Sequence, residues 1–213
     1  MTNVLILGAA GHIARHAEAD LLKNSQAHLT YFLRNAGRLK ITDASRETRI
    51  EGDVTDANAL STAMAGIDIV YANLSGRNIE QLAQDVVTAM DHNQVKRLIW
   101  ISTLGIYDEV PGAYGQWNHQ MLDGGYLETY GAAATVIENS DLDYTIIRPA
   151  WLTNHDEVDY ETTQKGEAFK GTEVSRKSIG ALVSHLVTHP DEAVRGSLGV
   201  NKPNTDGPKP AWY

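Results

Sequence analysis

Short apolar runs alternate along this chain with longer segments in which apolar residues recur every three or four positions. Such short runs are typical of strands buried on both faces of a parallel sheet, and the longer segments are typical of amphipathic helices. We predict strands at Val4–Leu7, Leu29–Leu33, Arg49–Gly52, Ile67–Ala72, Leu98–Ser102 and Tyr144–Ile147. Because strand–helix–strand units cross over with one hand, the alternation predicts an α/β fold with a doubly wound, mostly parallel sheet and helices on both faces.

The helices are predicted from the spacing of apolar residues and from capping residues. One runs over His12–Lys23, one is capped by Thr55 or Asp56 and ends at Gly66, and one ends near Asn139. A further helix carries an apolar face spaced i, i+3, i+4, i+7, formed by Ile79, Leu82, Ala83, Val86, Val87 and Met90. The last helix is capped by Ser175, and its apolar face is formed by Ile179, Leu182, Val183, Leu186 and Val187.

The pattern changes after Pro149, where we expect the regular part of the fold to end. Residues 151–175 are polar and rich in turn formers, and we expect them to form a loop or lid on the substrate side. Within them, "DYETTQKGEAFKG" favours a solvated hairpin. The final "NKPNTDGPKPAWY" predicts an extended or frayed tail. Residues 1–213 are expected to form a single domain.

The composition limits the possible partners. The 213 residues include 27 acidic and 18 basic side chains, a net charge of −9, which disfavours nucleic acid and anionic membranes as partners. There is no cysteine, so thiolate chemistry and cysteine-ligated metals are excluded. No signal peptide or long apolar span is evident, and a cytoplasmic location is expected. His12 and His16 are spaced i, i+4, but no third ligand accompanies them, and we predict no metal site.

The segment "LILGAAGHIARHAEADLL" places a loop of small residues between the first strand and the first helix. Gly8, Gly11 and Ala14 form G-x-x-G-x-x-A, a spacing that lets a backbone approach a pyrophosphate. The N–H groups of a helix N-terminus then face the phosphates. We predict dinucleotide binding by Gly8, Ala10, Gly11, His12 and Ile13; the alternative is a tight turn without a ligand.

The end of the second strand bears on which dinucleotide is bound. NAD-binding folds usually carry an acid there that holds the ribose hydroxyls. This chain has Arg34, Asn35 and Arg38 and no acid in "LRNAGRL". An arginine can pair with a 2′-phosphate, so NADPH is predicted to be preferred over NADH. A solvated basic turn is the alternative.

Three further strand ends are predicted to meet the cofactor, since ligands of doubly wound sheets bind at the carboxyl ends of the strands. The predicted contacts there are Asp53, Val54, Asn73, Leu74, Ser75, Ser102 and Thr103.

The segments "GAAGHIA", "LRNAGRL", "GDVTD", "ISTLGIY" and "SDLDYTIIRPAWLT" together resemble the atypical short-chain dehydrogenase/reductase superfamily. They are most similar to its NAD(P)H-binding, NmrA-like branch, which includes biliverdin and flavin reductases. The resemblance covers about residues 3–200. It implies a Rossmann-like fold with NADP(H) along the strand ends, and a substrate pocket between the nicotinamide and the segment after Pro149.

Members of that superfamily typically use Tyr-x-x-x-Lys together with a serine at the end of the fifth strand. The resemblance puts Tyr126 at the tyrosine position and Ser102 at the serine position, as candidate catalytic residues. Tyr130 stands where the lysine would be. Without that lysine the pKa of Tyr126 is expected to stay near its ordinary value of about 10, which disfavours alcohol oxidation and epimerase or dehydratase chemistry.

Two functions remain open. The first is NADPH-dependent reduction of a small conjugated acceptor such as a flavin or quinone, for which Trp117 and Trp151 would form aromatic walls and His155 a substrate contact. The second is a non-catalytic, NADP(H)-sensing regulator of the NmrA-like type. Neither the substrate nor the oligomeric state follows from the sequence.

Overall fold

The computed structural model describes residues 1–213, which form ten strands and six α-helices. The strands are β1 (Asn3–Leu7), β2 (His28–Leu33), β3 (Glu47–Glu51), β4 (Ile69–Ala72), β5 (Arg97–Ile101), β6 (Asp143–Pro149), β7 (Trp151–Thr153), β8 (Glu161–Thr163), β9 (Glu173–Ser175) and β10 (Gly196–Asn201). The helices are α1 (His12–Asn24), α2 (Ala57–Ala63), α3 (Ile79–His92), α4 (Gly112–Leu122), α5 (Tyr126–Glu138) and α6 (Arg176–Thr188).

Eight of the strands form the central sheet, in the order β3-β2-β1-β4-β5-β6-β10-β8. All neighbours pair in parallel except β8, which is antiparallel to β10 at the edge. The chain winds outward from β1 through β2 to β3, and outward again from β4 through β5 to β6. The direction of winding therefore switches between β1 and β4, where a doubly wound sheet leaves a crevice at its carboxyl edge.

Helices cover both faces of the sheet and bury two apolar layers. On one face α1 and α6 pack against each other, and on the other α3 packs against α5 and α2. The two helices cross so closely at Gly180 that an added Cβ there would lie only 2.5 Å from the Cβ of His16 on α1. All five apolar residues predicted to form the inner face of α6 are buried. The predicted α/β, doubly wound fold is confirmed.

Two polar side chains cap helices at positions predicted from the sequence. Asp56, one of the two candidates, caps α2 and accepts from the backbone N–H groups of Asn58 and Ala59. Ser175 caps α6 and accepts from the N–H of Ser178. A short polar side chain at each of these positions satisfies N–H groups that the helix itself leaves free.

Two predictions about the second half of the chain are wrong, and one is incomplete. A helix does end near Asn139, since α5 ends at Glu138 with Asn139 as its C-cap, but α4 precedes it, because Gly124 and Gly125 adopt positive φ and divide the segment. Regular structure continues beyond Pro149 as β7 to β10. The segment 159–171 is not a hairpin, since β8 pairs with β10 and the short β7 pairs in parallel with β9.

The tail segment, residues 202–213, contains turns but no helix or strand. It is held at both ends rather than frayed. Thr205 bonds Thr172 through backbone and side-chain atoms, and the Tyr213 ring lies 4.9 Å from that of Trp117. The chain has no helix with both the length and the apolar character needed to cross a membrane.

Candidate functional site

The loop between β1 and α1 leaves the N-terminus of α1 open. Gly8 turns the chain with φ +77°, and the N–H of Gly11 donates to the Gly8 carbonyl over 3.0 Å. Gly11 caps the helix without any side-chain hydrogen bond, and the first turn carries no acidic residue. The free N–H groups and positive end of the helix dipole therefore suit the pyrophosphate of a dinucleotide.

Asn73, at the end of β4, lies directly against this loop. A Cβ at Gly8 would be 2.3 Å from the Asn73 carbonyl oxygen, and a Cβ at Gly11 would be 2.0 Å from the Asn73 side-chain nitrogen. The backbone of Asn73 approaches Gly8 this closely only because position 8 lacks a side chain, and the Asn73 side chain fills the space beside Gly11. The two glycines thus serve the protein's own packing as well as the approach of a ligand.

A cleft of about 440 Å³ opens beside the loop at the switch point. Nine residues predicted to contact the cofactor line it, namely Gly8, Ala10, Gly11, Arg34, Asp53, Val54, Asn73, Leu74 and Ser75. Six others were not predicted, namely Phe32, Leu33, Gly52, Thr55, Asn78 and Leu82. Three of these, Phe32, Leu33 and Gly52, lie at the ends of predicted strands, and that position could have identified them as cofactor contacts. The start of α3 brings Asn78 and Leu82 to the cleft, and no local pattern in the sequence indicates this.

The turn after β2 presents basic side chains at the rim of the cleft. Arg34 is 80% exposed, and its Nε lies 3.9 Å from Asp53, a weak and solvated ion pair. The N–H and hydroxyl of Thr55 donate to Asp53 and, with a smaller contribution from Arg34, lower the pKa of its carboxyl. Arg34 therefore remains free to meet an anionic ligand group.

Six residues that were also predicted to contact the cofactor do not line the cleft. Ile13 is buried in the apolar layer below α1, and His12 is exposed on the first turn of that helix. Asn35 has φ 56° and starts a short 3₁₀ turn that also contains Arg38, whose side chain is exposed. Ser102 and Thr103 lie further along the sheet edge, in a separate cleft.

This second cleft, of about 160 Å³, contains the candidate catalytic residues. Ser102 and Thr103 follow β5, Tyr126 begins α5, and Trp151 and Leu152 come from β7. The Ser102 hydroxyl is buried and has no hydrogen-bond partner in the protein. An unpaired buried hydroxyl is costly, and it is available for a ligand.

Tyr126 and Tyr130 form a stacked pair, with ring centroids 4.4 Å apart and planes inclined by 25°. Tyr130 is buried, so the position typical of lysine brings no positive charge. The phenol stacks on the Tyr130 ring although 45% of the residue is exposed, and this partial burial, followed by the neighbouring Tyr130 phenol, raises the pKa of Tyr126. The pKa therefore lies above the ordinary value expected from the sequence, and Tyr126 is even less able to act as a base.

The loop after β5 is fixed by a buried ion pair. Arg148 is fully buried, and it pairs with Glu109, whose side chain is only 4% exposed. Glu109 also accepts from the N–H groups of Gly105 and Tyr107, both at 3.0 Å. The guanidinium donates further to the side chain and the carbonyl of Ser197 on β10. This network connects the loop that begins with Ser102 to β6 and β10.

Aromatic side chains flank the second cleft. The Trp151 and Trp117 rings lie 4.7 Å apart, and the Trp151 indole N–H donates to Asn118 over 3.0 Å. His155 is exposed and lies 3.7 Å from Glu157, and it lines a further cleft together with Trp212.

A glycine loop opening a helix N-terminus, at the switch point of a doubly wound sheet, defines a dinucleotide-binding protein with a Rossmann-like fold. The sequence profile described as NAD(P)H-binding matches residues 8–190. The chain therefore belongs to the NAD(P)H-binding family.

Solved structures agree with this assignment. A Rossmann-fold NAD(P)-binding family protein from Shigella flexneri is 42% identical, with 99% of this chain and 98% of that chain covered and a TM-score of 0.86. A short-chain dehydrogenase/reductase from Veillonella parvula, solved in complex with NADP, is 30% identical over 99% of both chains with a TM-score of 0.91. The fold is shared by ChuY from Escherichia coli O157:H7, described as an anaerobilin reductase, at 17% identity over 97% of this chain and all of that chain, with a TM-score of 0.76. A search of the curated proteins found no match.

Proposed function

We propose that this protein is an NADPH-dependent reductase of a small conjugated acceptor, such as a flavin or a quinone. The observation that carries the proposal is the second cleft. It holds the unpaired Ser102 hydroxyl beside Tyr126 and Trp151, and no lysine accompanies the tyrosine. Such a site can orient a flat ring at the sheet edge where the nicotinamide of this fold lies.

Each group in the two clefts has a separate task in this proposal. The N–H groups at the start of α1 bind the pyrophosphate, and Arg34 binds the 2′-phosphate. When bound, NADPH supplies a hydride, which with one proton reduces the acceptor by two electrons. Ser102 donates a hydrogen bond to an acceptor oxygen or nitrogen. Tyr126 can donate a proton but, with a raised pKa, it does not act as a base.

Residues 151–175 supply one side of the acceptor site in this proposal. Trp151 and Leu152 line the second cleft, and Thr153, Asn154 and His155 continue its wall. The segment is tied to α6, because Arg176 donates to Leu152 and Asn154. It is therefore a structured wall, and a mobile lid is not needed to enclose the acceptor.

A second candidate is a regulator that binds NADP(H) without turnover, as in the NmrA-like type. The buried Tyr130 at the position typical of lysine favours it, since the usual acid–base pair is incomplete. The unpaired Ser102 hydroxyl and the uncharged cleft favour the reductase, because a sensor needs no acceptor site.

Oxidation of NADPH, measured against a panel of flavins, quinones and aldehydes, separates the two. Turnover with flavins or quinones, and none with aldehydes, is the expected result. Tight NADPH binding without turnover of any acceptor would contradict the reductase and support the regulator.

The proposed preference for NADPH over NADH can be tested by comparing the affinities of the two nucleotides. We expect NADPH to bind at least tenfold more tightly than NADH, since a charge-assisted bidentate contact contributes about 1.5–3 kcal/mol and tenfold corresponds to about 1.4 kcal/mol. Calorimetric titration measures both dissociation constants. Arg34→Ala should remove the difference, whereas equal affinities in the parent would contradict the assignment of Arg34.

A further inference from the structure

Exposed apolar side chains are concentrated around the second cleft. Seven large hydrophobic residues of the chain are exposed, and four of them, Met121, Tyr126, Trp212 and Tyr213, lie around this cleft or in the aromatic cluster beside it. Single exposed apolar residues need no explanation, but a cluster at the mouth of a cleft is typical of a binding site.

A third cleft adjoins the second. Leu152 lines both, and the third cleft, of about 350 Å³, is completed by Thr153, Asn154, His155 and Trp212. We call the two together the acceptor groove. No aspartate, glutamate, lysine or arginine lines either part. The 160 Å³ cleft alone is smaller than the roughly 300–1,000 Å³ usual for small-molecule sites, whereas the adjoining 350 Å³ cleft falls within that range.

The tail segment holds Trp212 at the rim of the groove. Tyr213 anchors it, because its ring packs edge-on against Trp117 at 4.9 Å and its hydroxyl lies 3.6 Å from the Met121 sulfur. Trp212 is 50% exposed, and its ring centroid lies 6.4 Å from that of Trp151. Residues far apart in the chain thus place two indoles along one uncharged groove.

We infer that Trp212 contacts the acceptor and selects an uncharged, planar acceptor of two or three fused rings. The reacting ring lies beside Ser102, and the remaining rings extend over Leu152 to stack on Trp212. The inference rests on the proposed function for the identity of the reaction, and on the groove for the shape and charge of the ligand. An acceptor of one ring fills only the part beside Ser102 and does not reach Trp212.

The expected effect of Trp212 follows from aromatic stacking. A stacked pair contributes about 0.5–1.5 kcal/mol beyond the buried area, so loss of the indole should weaken binding about tenfold. Because Trp212 lies away from Ser102 and Tyr126, its loss should raise KM and leave kcat within about twofold.

The test uses riboflavin, an uncharged three-ring acceptor, and duroquinone, which has one ring. Binding is followed by quenching of riboflavin emission in the presence of saturating NADP⁺, and turnover by NADPH oxidation. Trp212→Ala should raise the riboflavin Kd and KM about tenfold, and Trp212→Phe should restore most of the affinity. The duroquinone KM should not change. Val194→Ala removes an exposed apolar side chain at the opposite edge of the sheet and serves as the control.

The outcomes separate the inference from the proposed function. Riboflavin quenching that depends on Trp212, without any NADPH oxidation, supports the groove and contradicts the reductase. Riboflavin turnover with a KM that Trp212→Ala leaves unchanged contradicts the inference and leaves the reductase standing. Absence of quenching by the parent protein, or equal effects on duroquinone and riboflavin, also overturns the inference. NADP⁺ affinity equal to that of the parent shows that each variant is folded.

Discussion

At the scale of single residues, the glycine loop illustrates what a motif predicts and what it omits. The spacing of Gly8 and Gly11 predicted the turn and the open helix N-terminus. It could not predict that Asn73, 65 residues beyond Gly8, would fill the space beside both glycines. That contact depends on the pairing of β1 with β4, which is a property of the sheet and leaves no local signal.

The two glycines should therefore respond differently to substitution. Gly8→Ala introduces a Cβ at φ +77° and against the backbone of Asn73, so we expect a loss of about 1–3 kcal/mol in the free energy of unfolding. Gly11→Val meets the movable end of the Asn73 side chain, so the fold should persist while NADPH binding is lost. Urea denaturation and calorimetric titration measure the two effects.

Gly37→Ala is the matched control for these variants, because nothing lies within 4 Å of its added Cβ. Its stability and its NADPH affinity should equal those of the parent. A Gly11→Val variant that binds NADPH normally would show that the loop is only a turn.

Tyr126 gives a second prediction at this scale. Alcohol oxidation should be undetectable, because the raised pKa of the phenol prevents it from acting as a base near neutral pH. Flavins and quinones gain little from acid catalysis, so Tyr126→Phe should reduce their turnover by less than about tenfold. Steady-state rates of the parent, Tyr126→Phe and Ser102→Ala measure this. A thousandfold loss in Tyr126→Phe would show that the tyrosine is catalytic after all.

At the scale of helices and strands, the sequence was informative where apolar residues recur over a whole element. The six strands β1 to β6 and the apolar faces of α3 and α6 were predicted within a few residues. β10 was missed because "GSLGVN" has two glycines and no alternation, and β7, β8 and β9 have three residues each. Such segments become strands through their neighbours, which supply the burial and the hydrogen bonds that the local sequence does not encode.

The network that joins β6, β10 and the loop after β5 can be tested by removing one charge. Glu109→Ala leaves the fully buried Arg148 without its counterion, so we expect a loss of about 3–5 kcal/mol in unfolding free energy. Lys96→Ala breaks the exposed pair with Asp141 and should leave the free energy of unfolding nearly unchanged. Urea denaturation of both variants provides the comparison; similar losses would contradict a structural role for the buried pair.

At the scale of the whole molecule, the carboxyl of Glu18 makes the free energy of unfolding depend on pH. Its side chain lies on the buried face of α1, and one carboxyl oxygen has no hydrogen-bond partner. Burial raises its pKa to about 8 in the folded protein, with Arg15 opposing the shift and Glu47 adding to it. The folded state therefore holds a proton that the unfolded state releases near pH 4.5, and this contribution to stability is lost as the pH rises from about 5 to 8.

Glu18→Gln should remove that dependence. Between pH 5 and pH 8 the parent should lose on the order of 3 kcal/mol more unfolding free energy than the variant. Urea denaturation at pH 5, 6.5 and 8 measures the difference, and Asp20→Asn, at a half-buried position of the same helix, is the control. Parallel pH profiles for the parent and Glu18→Gln would show that Glu18 titrates normally.

The position of Tyr213 also has a practical consequence for handling the protein. An affinity tag fused after Tyr213 would begin beside Trp117 and Trp151, at the mouth of the acceptor groove. Met1 is exposed and precedes β1 at the opposite edge of the sheet, away from both clefts. A tag placed before Met1 leaves the groove unobstructed, so assays of acceptor binding and screens for inhibitors should use protein tagged at that end.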